Sequence, residues 1–378
     1  MPLLSIIIPT QNRSTQCIAA VETILAFPHD FELIIFDSGT GDALGTLLQQ
    51  VEDSRLHYVR ATAPMNMTQC FEAAIVQGTG RFVCMVGDDD AVTPALFEWT
   101  DKAVADGLSS VTVDPAYYVL YNWPDIRSVY FGSAASGKLF TRLGNTAHVR
   151  TLDAAELVGD FLAGSGQGCG VLPRVYHGLI ARDVLNQMKS RFGRCFDGVS
   201  PDVSFSYFAA LCSTRHCIIN TPLTISGTSA VSNAGRSAMM QHKGDLWSDS
   251  HMLNYQGEPW PREVPEFFSV ETVWGQATLS AVKCADPSDF HRFNFPHFYA
   301  LLLLRHPDRW RDTWRSARAS QRAGPLALST AISKQALRLG LGNFVKLWRK
   351  VVPDRGRQVI ACASLVDASA ITATRIGT

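Results

Sequence analysis

Short apolar, β-branched runs alternate with segments of helical periodicity along the first 115 residues. Runs of this length that are bounded by turn residues are typical of buried parallel strands. The predicted strands are Ser5–Pro9, Glu32–Phe36, His57–Arg60, Phe82–Val86 and Ser110–Asp114. Four helices are predicted: Ser14–Ala26, a helix from Asp42 to Val51, Gln69–Gln77 and Pro94–Ala105. The Ser14 hydroxyl and the Asp42 side chain are expected to cap the first two.

This alternation, with short connections, predicts an α/β fold built on a mostly parallel, doubly wound sheet. Ligands of such sheets bind beyond the carboxyl ends of the strands, which selects the loops that matter. Beyond Tyr117 the pattern blurs, and helical periodicity returns at Val184–Phe192 and Val203–Cys212. After about Ser237 the chain is predicted to be mostly helical.

Composition places the chain among globular proteins, because 46% of its 378 residues are hydrophobic and 18% are charged. The formal net charge is zero, so nothing global indicates a nucleic-acid partner. The charge is unevenly spread, however. Residues Arg305 to Arg357 contain thirteen Lys or Arg and three Asp, a net charge of +10. This asymmetry indicates that the C-terminal part meets an anionic surface or substrate.

Cysteine usage and hydropathy bear on the compartment. The nine cysteines are scattered singly without a C-x-x-C pair, which favours a reducing cytosol over a disulfide framework or a zinc site. The start of the chain shows no signal peptide, and no apolar run reaches the ~20 residues that span a bilayer. We therefore expect a cytoplasmic protein, either soluble or peripheral at the inner face of the membrane.

Polar clusters follow three of the predicted strands. They are Pro9–Arg13, Asp37–Asp42 and Asp88–Asp90. In a parallel sheet all three face the same crevice. Each cluster alone is equally well explained as a capped turn between a strand and a helix, but their joint occurrence indicates a binding site.

The triple aspartate has the strongest chemical implication. Three adjacent carboxylates at the end of a buried strand repel one another and lose solvation, so they need a compensating cation. Mg²⁺ and Mn²⁺ take oxygen ligands and commonly bridge carboxylates to phosphate oxygens. The alternative is a solvated acidic turn at the start of the Pro94 helix. Asp37 can accept a hydrogen bond from a base or a ribose hydroxyl, with Arg13 and the Thr10 backbone beside it.

These segments together resemble the inverting family-2 glycosyltransferases of the GT-A fold. Ser5–Arg13 is similar to the opening strand of that family followed by P-T-x-N-R, and Asp37–Asp42 resembles its D-[DN]-G-S-x-D. Gly80–Pro94 resembles G-x-Y-[IV]-x-x-L-x-D-D-[DN]-x-x-x-P. The resemblance is specific from Leu4 to about Ala105 and weaker from about Gly170 to Ser237.

The resemblance implies a metal-dependent enzyme that moves a sugar, with inversion, from a nucleoside-diphosphate sugar to an acceptor hydroxyl in surface polysaccharide or glycoconjugate synthesis. It implies a nucleotide-sugar-binding half of a GT-A domain at 1–115 and an acceptor-binding half at 116–236. Residues 237–378 would form a mostly helical, basic C-terminal region. The acceptor would be a glycan or a lipid-linked molecule.

The resemblance also assigns roles to individual residues. Thr10, Arg13 and Asp37 would contact the nucleobase and ribose, and Asp88 would lie near the ribose and diphosphate. Asp89 would be the main ligand of Mn²⁺ or Mg²⁺, with Asp90 assisting. Two positions depart from the family pattern. Gly87 stands where many relatives have Asp, and Ser38 replaces the usual Asp or Asn.

A general base for the acceptor is the remaining requirement. Phe196–Phe205 resembles the segment of the family that supplies it, with Pro201 in place of the usual Glu, so Asp202 would take the acceptor proton. The alternative is that Asp202 only caps the following helix, and Asp197 is the reserve base.

Three further features are given a structural interpretation. Gly164–Gly170 is interpreted as an irregular loop rather than a lid over the acceptor, and His177 as structural rather than part of a site. Gly132–Lys138 nearly matches a phosphate-binding loop but lacks the hydroxyl at Leu139, so it is predicted to be a hairpin tip.

Two other functions compete with glycosyl transfer. A nucleotidyltransferase also places acidic metal ligands on an α/β sheet, but it normally has a glycine-rich basic loop after its first strand. A catalytically inactive carbohydrate-binding or scaffold protein on the same fold is the other alternative. The basic segment 305–357 is expected either to contact an anionic membrane, with Phe344 and Trp348 on one helical face, or to form a solvated layer whose tryptophans pack on the catalytic domain.

Overall fold

The computed structural model describes residues 2–127, 132–144, 149–232, 235–236, 239, 243–257, 259–351 and 356–376, without the side chains of residues 342–351. The predicted pairing of Phe344 with Trp348 therefore lies outside the described residues. Within the described ranges the strands are β1 Leu4–Thr10, β2 Phe31–Asp37, β3 Leu56–Arg60, β4 Phe82–Met85, β5 Ala91–Val92, β6 Ser110–Val113, β7 Tyr118–Asn122, β8 Lys138–Arg142, β9 Arg150–Leu152, β10 Leu179–Ala181, β11 His216–Ile219, β12 Thr224–Thr228, β13 Lys243–Gly244, β14 Phe268–Ser269 and β15 Gln358–Ala361.

The α-helices of the same ranges separate these strands in the first half of the chain and dominate its last third. They are α1 Ser14–Leu25, α2 Ala43–Leu48, α3 Met67–Ile75, α4 Pro94–Ala105, α5 Val158–Ala163, α6 Arg182–Phe192, α7 Pro201–Ala210, α8 Val270–Ala285, α9 Phe295–Arg305, α10 Trp310–Ser320, α11 Pro325–Val351 and α12 Leu365–Ile376. The predicted helical character of the C-terminal region is confirmed.

The central sheet has eight strands in the order β3-β2-β1-β4-β10-β6-β11-β9. Strands β3, β2, β1 and β4 are all parallel, as are β6 and β11, whereas β10 and β9 run antiparallel to their neighbours. This is the predicted α/β fold with a mostly parallel sheet. Because Thr10 pairs with Asp37 and Ile7 with Met85, the carboxyl ends of β1, β2 and β4 meet at one edge.

Both faces of this sheet are covered by other parts of the protein. For this reason its strands are continuous apolar runs in the sequence. Successive side chains of β1 point to opposite faces. Ile7 belongs to a core that also contains Phe71, while Ile6 and Ile8 belong to a second core that contains Leu96. All seven residues of β1 are buried. Substrate can therefore reach this sheet at its strand ends and not across its faces.

A second sheet, in the order β15-β8-β7-β12-β5, begins directly after the triple aspartate. Its last strand comes from the C-terminal segment: β15 pairs antiparallel with β8, and α12 then packs against α1 and α4. The sequence did not predict this return of the chain to its N-terminal half. The sheet continues through β7 and β12 to β5, so the C-terminus is connected to the wall of the strand-end crevice.

Local details correct two of the predicted helix caps. The N-cap of α1 is Arg13 rather than Ser14, and no side chain caps that helix. Asp42 occupies the N-cap of α2 but makes no capping hydrogen bond, because its carboxylate pairs with Arg60 at 3.2 Å. Between β7 and β8, which pair antiparallel, the described residues include a 3-10 turn at Ser133–Ala135, which confirms the predicted hairpin tip.

Candidate active site

The ends of β1 and β4 are joined by direct side-chain contacts. Thr10 Oγ1 donates a hydrogen bond of 2.6 Å to Asp88 Oδ2, and Arg13 Nε lies 3.0 Å from the same oxygen. Thr10 is also the strand partner of Asp37. The structure therefore brings together the four residues that the sequence predicted to bind a donor.

Asp88 has an unusual electrostatic environment. Its side chain is fully buried, and burial raises the pKa of this carboxyl to about 7, against the lowering effect of Arg13. Burial likewise opposes the charge of Arg13, but attraction to Asp88 and Asp89 outweighs it and raises the pKa of the guanidinium. Among the described residues neither Asp88 Oδ1 nor Arg13 Nη1 has a hydrogen-bond partner. Buried polar atoms without partners are costly, so this pair is suited to receive the polar atoms of a ligand.

Asp89 is held in place by hydrogen bonds from residues at the ends of strands in the second sheet. Its Oδ2 accepts hydrogen bonds from the Ser229 backbone N–H at 3.0 Å and from Ser229 Oγ at 2.7 Å. Trp123 Nε1 donates to the Asp89 backbone carbonyl at 3.0 Å. The other carboxylate oxygen, Oδ1, lies 3.9 Å from Arg13 Nη1. Asp89 is thus fixed on one side and directed towards Arg13 on the other.

Asp90 turns away from the crevice into the protein. Its Oδ1 accepts from the Gly227 backbone N–H at 2.6 Å, and its Oδ2 accepts from the Gly87 N–H at 2.5 Å and from the Tyr176 hydroxyl at 3.2 Å. Burial, followed by repulsion from Asp89, raises the pKa of Asp90 to about 8. These contacts fix the acidic loop to β12.

Gly87 is required by the same packing. A Cβ at this position would lie 2.6 Å from Tyr176 Oη and 2.9 Å from Asp90 Oδ2. The aspartate that many relatives carry here would not fit without displacing both groups. Tyr176 and the inward-turned Asp90 therefore fill the space that a side chain at position 87 would need.

The three carboxylates diverge, which limits how a metal could bind. Among the described residues no three His, Cys, Asp or Glu side chains form a group that could hold a metal ion. The sequence predicted that the acidic cluster needs a metal ion to neutralise it. In the structure Arg13 already supplies a positive charge there, so part of this neutralisation comes from the protein itself. Asp88 Oδ1 and Asp89 Oδ1 remain as hard oxygen ligands. A divalent cation bound through these two atoms would need substrate phosphates and water to complete its coordination.

Both carboxylate oxygens of Asp37 accept hydrogen bonds. Gly39 N–H donates to Oδ1 at 2.7 Å and the Tyr58 hydroxyl donates to Oδ2 at 2.9 Å. A Cβ at Gly39 would lie 2.8 Å from both Asp37 Oδ1 and Asn12 Oδ1, so the first two strand-end loops touch at this glycine. Ser38, which replaces the usual acidic or amide residue, donates its hydroxyl to the Thr10 carbonyl at 3.2 Å.

Asp202 lies in the first turn of α7, where Ser200 is the N-cap. The alternative that Asp202 caps this helix is therefore wrong, and its Oδ1 instead accepts from Ser200 Oγ at 2.7 Å. No hydrogen bond or ion pair among the described residues links it to Asp88, Asp89 or Asp90. The reserve base, Asp197, is more heavily used: it accepts from Gly198 N–H and Ser280 and pairs with Arg194.

His177 has mainly a packing role. Its Nδ1 bonds to Thr224 Oγ1 at 2.8 Å, and its Nε2 lies 3.4 Å from Asp90 Oδ2. Burial, followed by repulsion from Arg174, lowers the pKa of this imidazole to about 3. His177 is therefore neutral at physiological pH, and it links the acidic loop to β12.

The glycine-rich segment 164–170 is a packed loop. Ser165 is fully buried and donates to the Asn294 carbonyl at 2.8 Å, and the Gln167 amide donates to the Glu271 carbonyl at 3.2 Å. Gly166 has a φ of +63°, and a Cβ there would overlap Thr278 of α8. These contacts favour the loop interpretation over that of a lid.

Sequence reasoning missed the residues that support the site from a distance. They are Tyr58 on β3, Trp123 after β7, Tyr176 before β10, and Gly227 and Ser229 at the end of β12. None stands in a recognisable motif. Trp123, Gly227 and Ser229 act from the second sheet, whose pairing with the acidic loop is long-range and leaves no local periodicity. Tyr58 and Tyr176 reach the site from the central sheet, again through contacts that are distant in the sequence.

Comparisons with known proteins find a family match in the N-terminal part of the chain. The family model described as Glycosyl transferase family 2 matches residues 5–151. A curated protein of Sinorhizobium fredii, named only as the uncharacterized protein y4gI, is 37% identical over 111 residues. That match covers 28% of this chain and 12% of the relative, so the chain spans a small part of that relative's length.

Similar solved structures include the glycosyltransferase TarS of S. aureus. TarS 1-349 in complex with UDP-GlcNAc is 11% identical with a TM-score of 0.46, and the similarity covers 85% of this chain and 92% of that one. TarS 1-349 alone is 14% identical with a TM-score of 0.45, covering 84% and 91%. The longer TarS structure gives 16% identity and a TM-score of 0.39, covering 60% and 37%.

Proposed function

Because residues 5–151 match the family model described as Glycosyl transferase family 2, we propose that the chain transfers a sugar, with inversion, from a nucleoside-diphosphate sugar to an acceptor hydroxyl. The observation that carries the proposal is the meeting of Thr10 and Arg13 with Asp88 and Asp89 at the carboxyl ends of β1 and β4. Ligands of open α/β sheets bind at this edge. The two buried atoms without partners, Asp88 Oδ1 and Arg13 Nη1, lie in the same place.

The donor is expected to occupy the crevice formed by the three strand-end loops. Asp37, held by Tyr58 and Gly39, would face the base and ribose beside Thr10. Asp88 would lie near the ribose and the diphosphate, with its unpartnered oxygen, Oδ1, available to the cation described below. Arg13 would place Nη1 against a phosphate oxygen, where a guanidinium forms strong charge-assisted hydrogen bonds.

Asp89 Oδ1 and Asp88 Oδ1 are the atoms that would hold Mn²⁺ or Mg²⁺ with the diphosphate. A cation bound there neutralises the negative charge that develops on the departing nucleoside diphosphate. Asp90 was expected to assist as a ligand. Because both of its oxygens already accept backbone hydrogen bonds, we assign it instead to holding the acidic loop on β12.

Asp202 is the proposed general base. It would accept the acceptor hydroxyl proton while the acceptor oxygen bonds to the anomeric carbon and the bond from that carbon to the diphosphate oxygen breaks. Among the described residues its carboxylate accepts one side-chain hydrogen bond, from Ser200 Oγ, which leaves it able to accept a proton. We place the reaction in surface polysaccharide or glycoconjugate synthesis, with a glycan or lipid-linked acceptor, on the cytoplasmic side.

A thermal-shift panel tests the proposed donor class directly. Nucleoside diphosphates, their sugars and nucleoside triphosphates are compared with and without Mn²⁺, because a ligand that binds only the native state raises stability by RT ln(1 + [L]/Kd). We expect a diphosphate or diphosphate sugar to raise Tm more strongly when Mn²⁺ is present. The Asp89→Asn variant is expected to lose the Mn²⁺-dependent part of that shift.

The other two functions predict different results in the same panel. A nucleotidyltransferase would respond to a nucleoside triphosphate in preference to any diphosphate sugar. An inactive carbohydrate-binding or scaffold protein would respond to no nucleotide. Either result would reject glycosyl transfer.

A further inference from the structure

One face of helix α11 carries apolar and basic side chains that are exposed to solvent. Leu326 is 81% exposed, Leu337 is 65% exposed and Leu341 is 56% exposed. Leu337 and Leu341 are one helical turn apart, and Leu326 lies three turns before Leu337, so all three point in the same direction. Three leucines this exposed on one stripe are unusual for a surface that meets only water.

The opposite side of the helix attaches it to the protein. Leu328 and Gln335 are buried, Ile332 packs against the main core, and the helix contacts α9. The orientation of α11 is therefore fixed by packing. The leucine stripe is outward because the protein-facing positions are already filled.

The charge of α11 identifies what this face can meet. The 27-residue segment Pro325–Val351 contains five Lys or Arg and no Asp or Glu. Lys334 and Arg338 are exposed beside the leucines, and no carboxylate of the described residues pairs with either. A second copy of the chain would bring cation against cation in a symmetric contact, which disfavours a dimer through this face.

The preceding helix repeats the same chemistry. On α10, Trp310 is 52% exposed and Trp314 is 42% exposed, one turn apart. Arg311 lies over the Trp310 ring at 5.5 Å, and Arg318 is exposed on the same helix. Tryptophan and arginine side by side are the side chains that settle at the boundary between lipid headgroups and acyl chains.

We propose that α11 docks on an anionic lipid bilayer, with Leu326, Leu337 and Leu341 in the headgroup–acyl boundary and Lys334 and Arg338 on the phosphates. The helix would lie flat on the surface, since its other side packs on α9. Among the described helices, none combines the length and the hydropathy that a bilayer span requires. The docking does not depend on the proposed activity.

Vesicle co-sedimentation of the full chain tests the docking. At low salt the protein is expected to sediment with phosphatidylglycerol-containing vesicles and not with pure phosphatidylcholine vesicles. Binding should weaken as salt rises, because screening shortens the range of surface charges. The double variant Leu337→Glu/Leu341→Glu is expected to lower the fraction bound by more than about tenfold.

Two further variants separate lipid from other partners. Lys334→Gln is expected to weaken binding to anionic vesicles about fivefold, the usual contribution of one cation near an anionic leaflet. Leu253→Glu is the matched control, because Leu253 is 51% exposed and lies in the 3-10 turn Leu253–Tyr255, which is joined to α3 by the bond from Thr68 N–H to Tyr255 Oη. It should bind vesicles as the unmodified protein does, and unchanged Tm values would show that all variants fold.

Three outcomes would overturn the proposal. One is failure of the unmodified protein to bind anionic vesicles at low salt. Another is vesicle binding that the leucine variant leaves intact but a soluble polyanion displaces, which would assign the face to an anionic glycan. The third is a concentration-dependent dimer that the leucine variant converts to a monomer, which would assign the face to a second copy.

Discussion

The Thr10 hydroxyl donates a 2.6 Å hydrogen bond to the Asp88 carboxylate, although the two residues are 78 positions apart in the sequence. Because both residues are buried, water does not compete for this bond. It joins the loop after β1 to the acidic loop after β4, and Arg13 strengthens the link by pairing with the same oxygen. The crevice at the strand ends is thus organised before any ligand arrives.

Asp89→Asn is expected to abolish sugar transfer while preserving the fold. The asparagine oxygen can still accept from Ser229, so the loop should keep its position. The amide nitrogen then takes the place of Oδ1, one of the two oxygens proposed to hold the divalent cation, and the negative charge is lost. Transfer is measured by release of nucleoside diphosphate, with Tm as the control. Wild-type turnover in this variant, or turnover that chelation leaves unchanged, would show that Asp89 is not a metal ligand.

Ser229→Ala is expected to lower kcat about tenfold with little change in KM for the donor. The substitution removes the 2.7 Å hydroxyl bond to Asp89 Oδ2 but keeps the backbone bond to the same atom. A net hydrogen bond to a charged group is worth about 1.5 kcal/mol, which corresponds to roughly this factor. Ser54→Ala, at an exposed serine before β3, is the control. If kcat falls only because Tm falls and less of the protein is folded, Ser229 has a role in folding only.

The sequence predicted the strand-end residues because strands and turns leave local patterns. Thr10, Arg13, Asp37 and Asp88 follow apolar runs, and the rule that parallel strands end at one edge was enough to group them. The inward turn of Asp90 could not be predicted in the same way. It depends on Gly227 of β12, whose pairing with the acidic loop has no local signature.

The return of the C-terminal segment to the N-terminal half of the chain could not be predicted from local patterns either. Strand β15 has four residues and is exposed at three of them, so its hydrophobic pattern is too short to identify it as part of a sheet. Its place beside β8 is decided by tertiary pairing and by the packing of α12 on α1. Context of this kind overrides local propensity.

Asp202→Asn is expected to lower transfer by ~10²–10⁴-fold while donor binding remains, the usual effect of losing a general base. Asp197→Asn is the matched comparison. Because Asp197 binds Ser280 and Arg194, its substitution is expected to reduce stability more than turnover. Transfer rates and nucleotide-induced Tm shifts are measured for both. If the Asp197 variant loses transfer and the Asp202 variant does not, their roles are reversed.

Glu271 is expected to make folding stability depend on pH. Burial opposes its charge, but bonds from His306 and Arg305 overcome this and lower the pKa of the carboxyl from 4.5 to about 2. A lowered folded-state pKa gives stability that is present above pH 4.5 and is lost as the pH falls towards 2. By pH 3.5 the loss of folding free energy from this group should be on the order of 1 kcal/mol.

Urea unfolding between pH 6 and pH 3.5 measures this dependence. Glu271→Gln is expected to be less stable than the unmodified protein at pH 6, and the difference should shrink by on the order of 1 kcal/mol at pH 3.5. A constant difference across this range would mean that Glu271 does not titrate between its two predicted values.

Gly227→Ala is expected to destabilise the protein by more than about 3 kcal/mol, because small-to-large changes at close-packed sites cost this much when backbone must move. A Cβ at this position would overlap the Asp89 carbonyl oxygen and lie 3.1 Å from Trp123 Nε1. The shift would also break the 2.6 Å bond from Gly227 N–H to Asp90. Gly41→Ala is the control, because a Cβ there meets nothing within 4 Å. Urea midpoints compare the two, and equal stability would mean that the β12 contact with the acidic loop is looser than these distances imply.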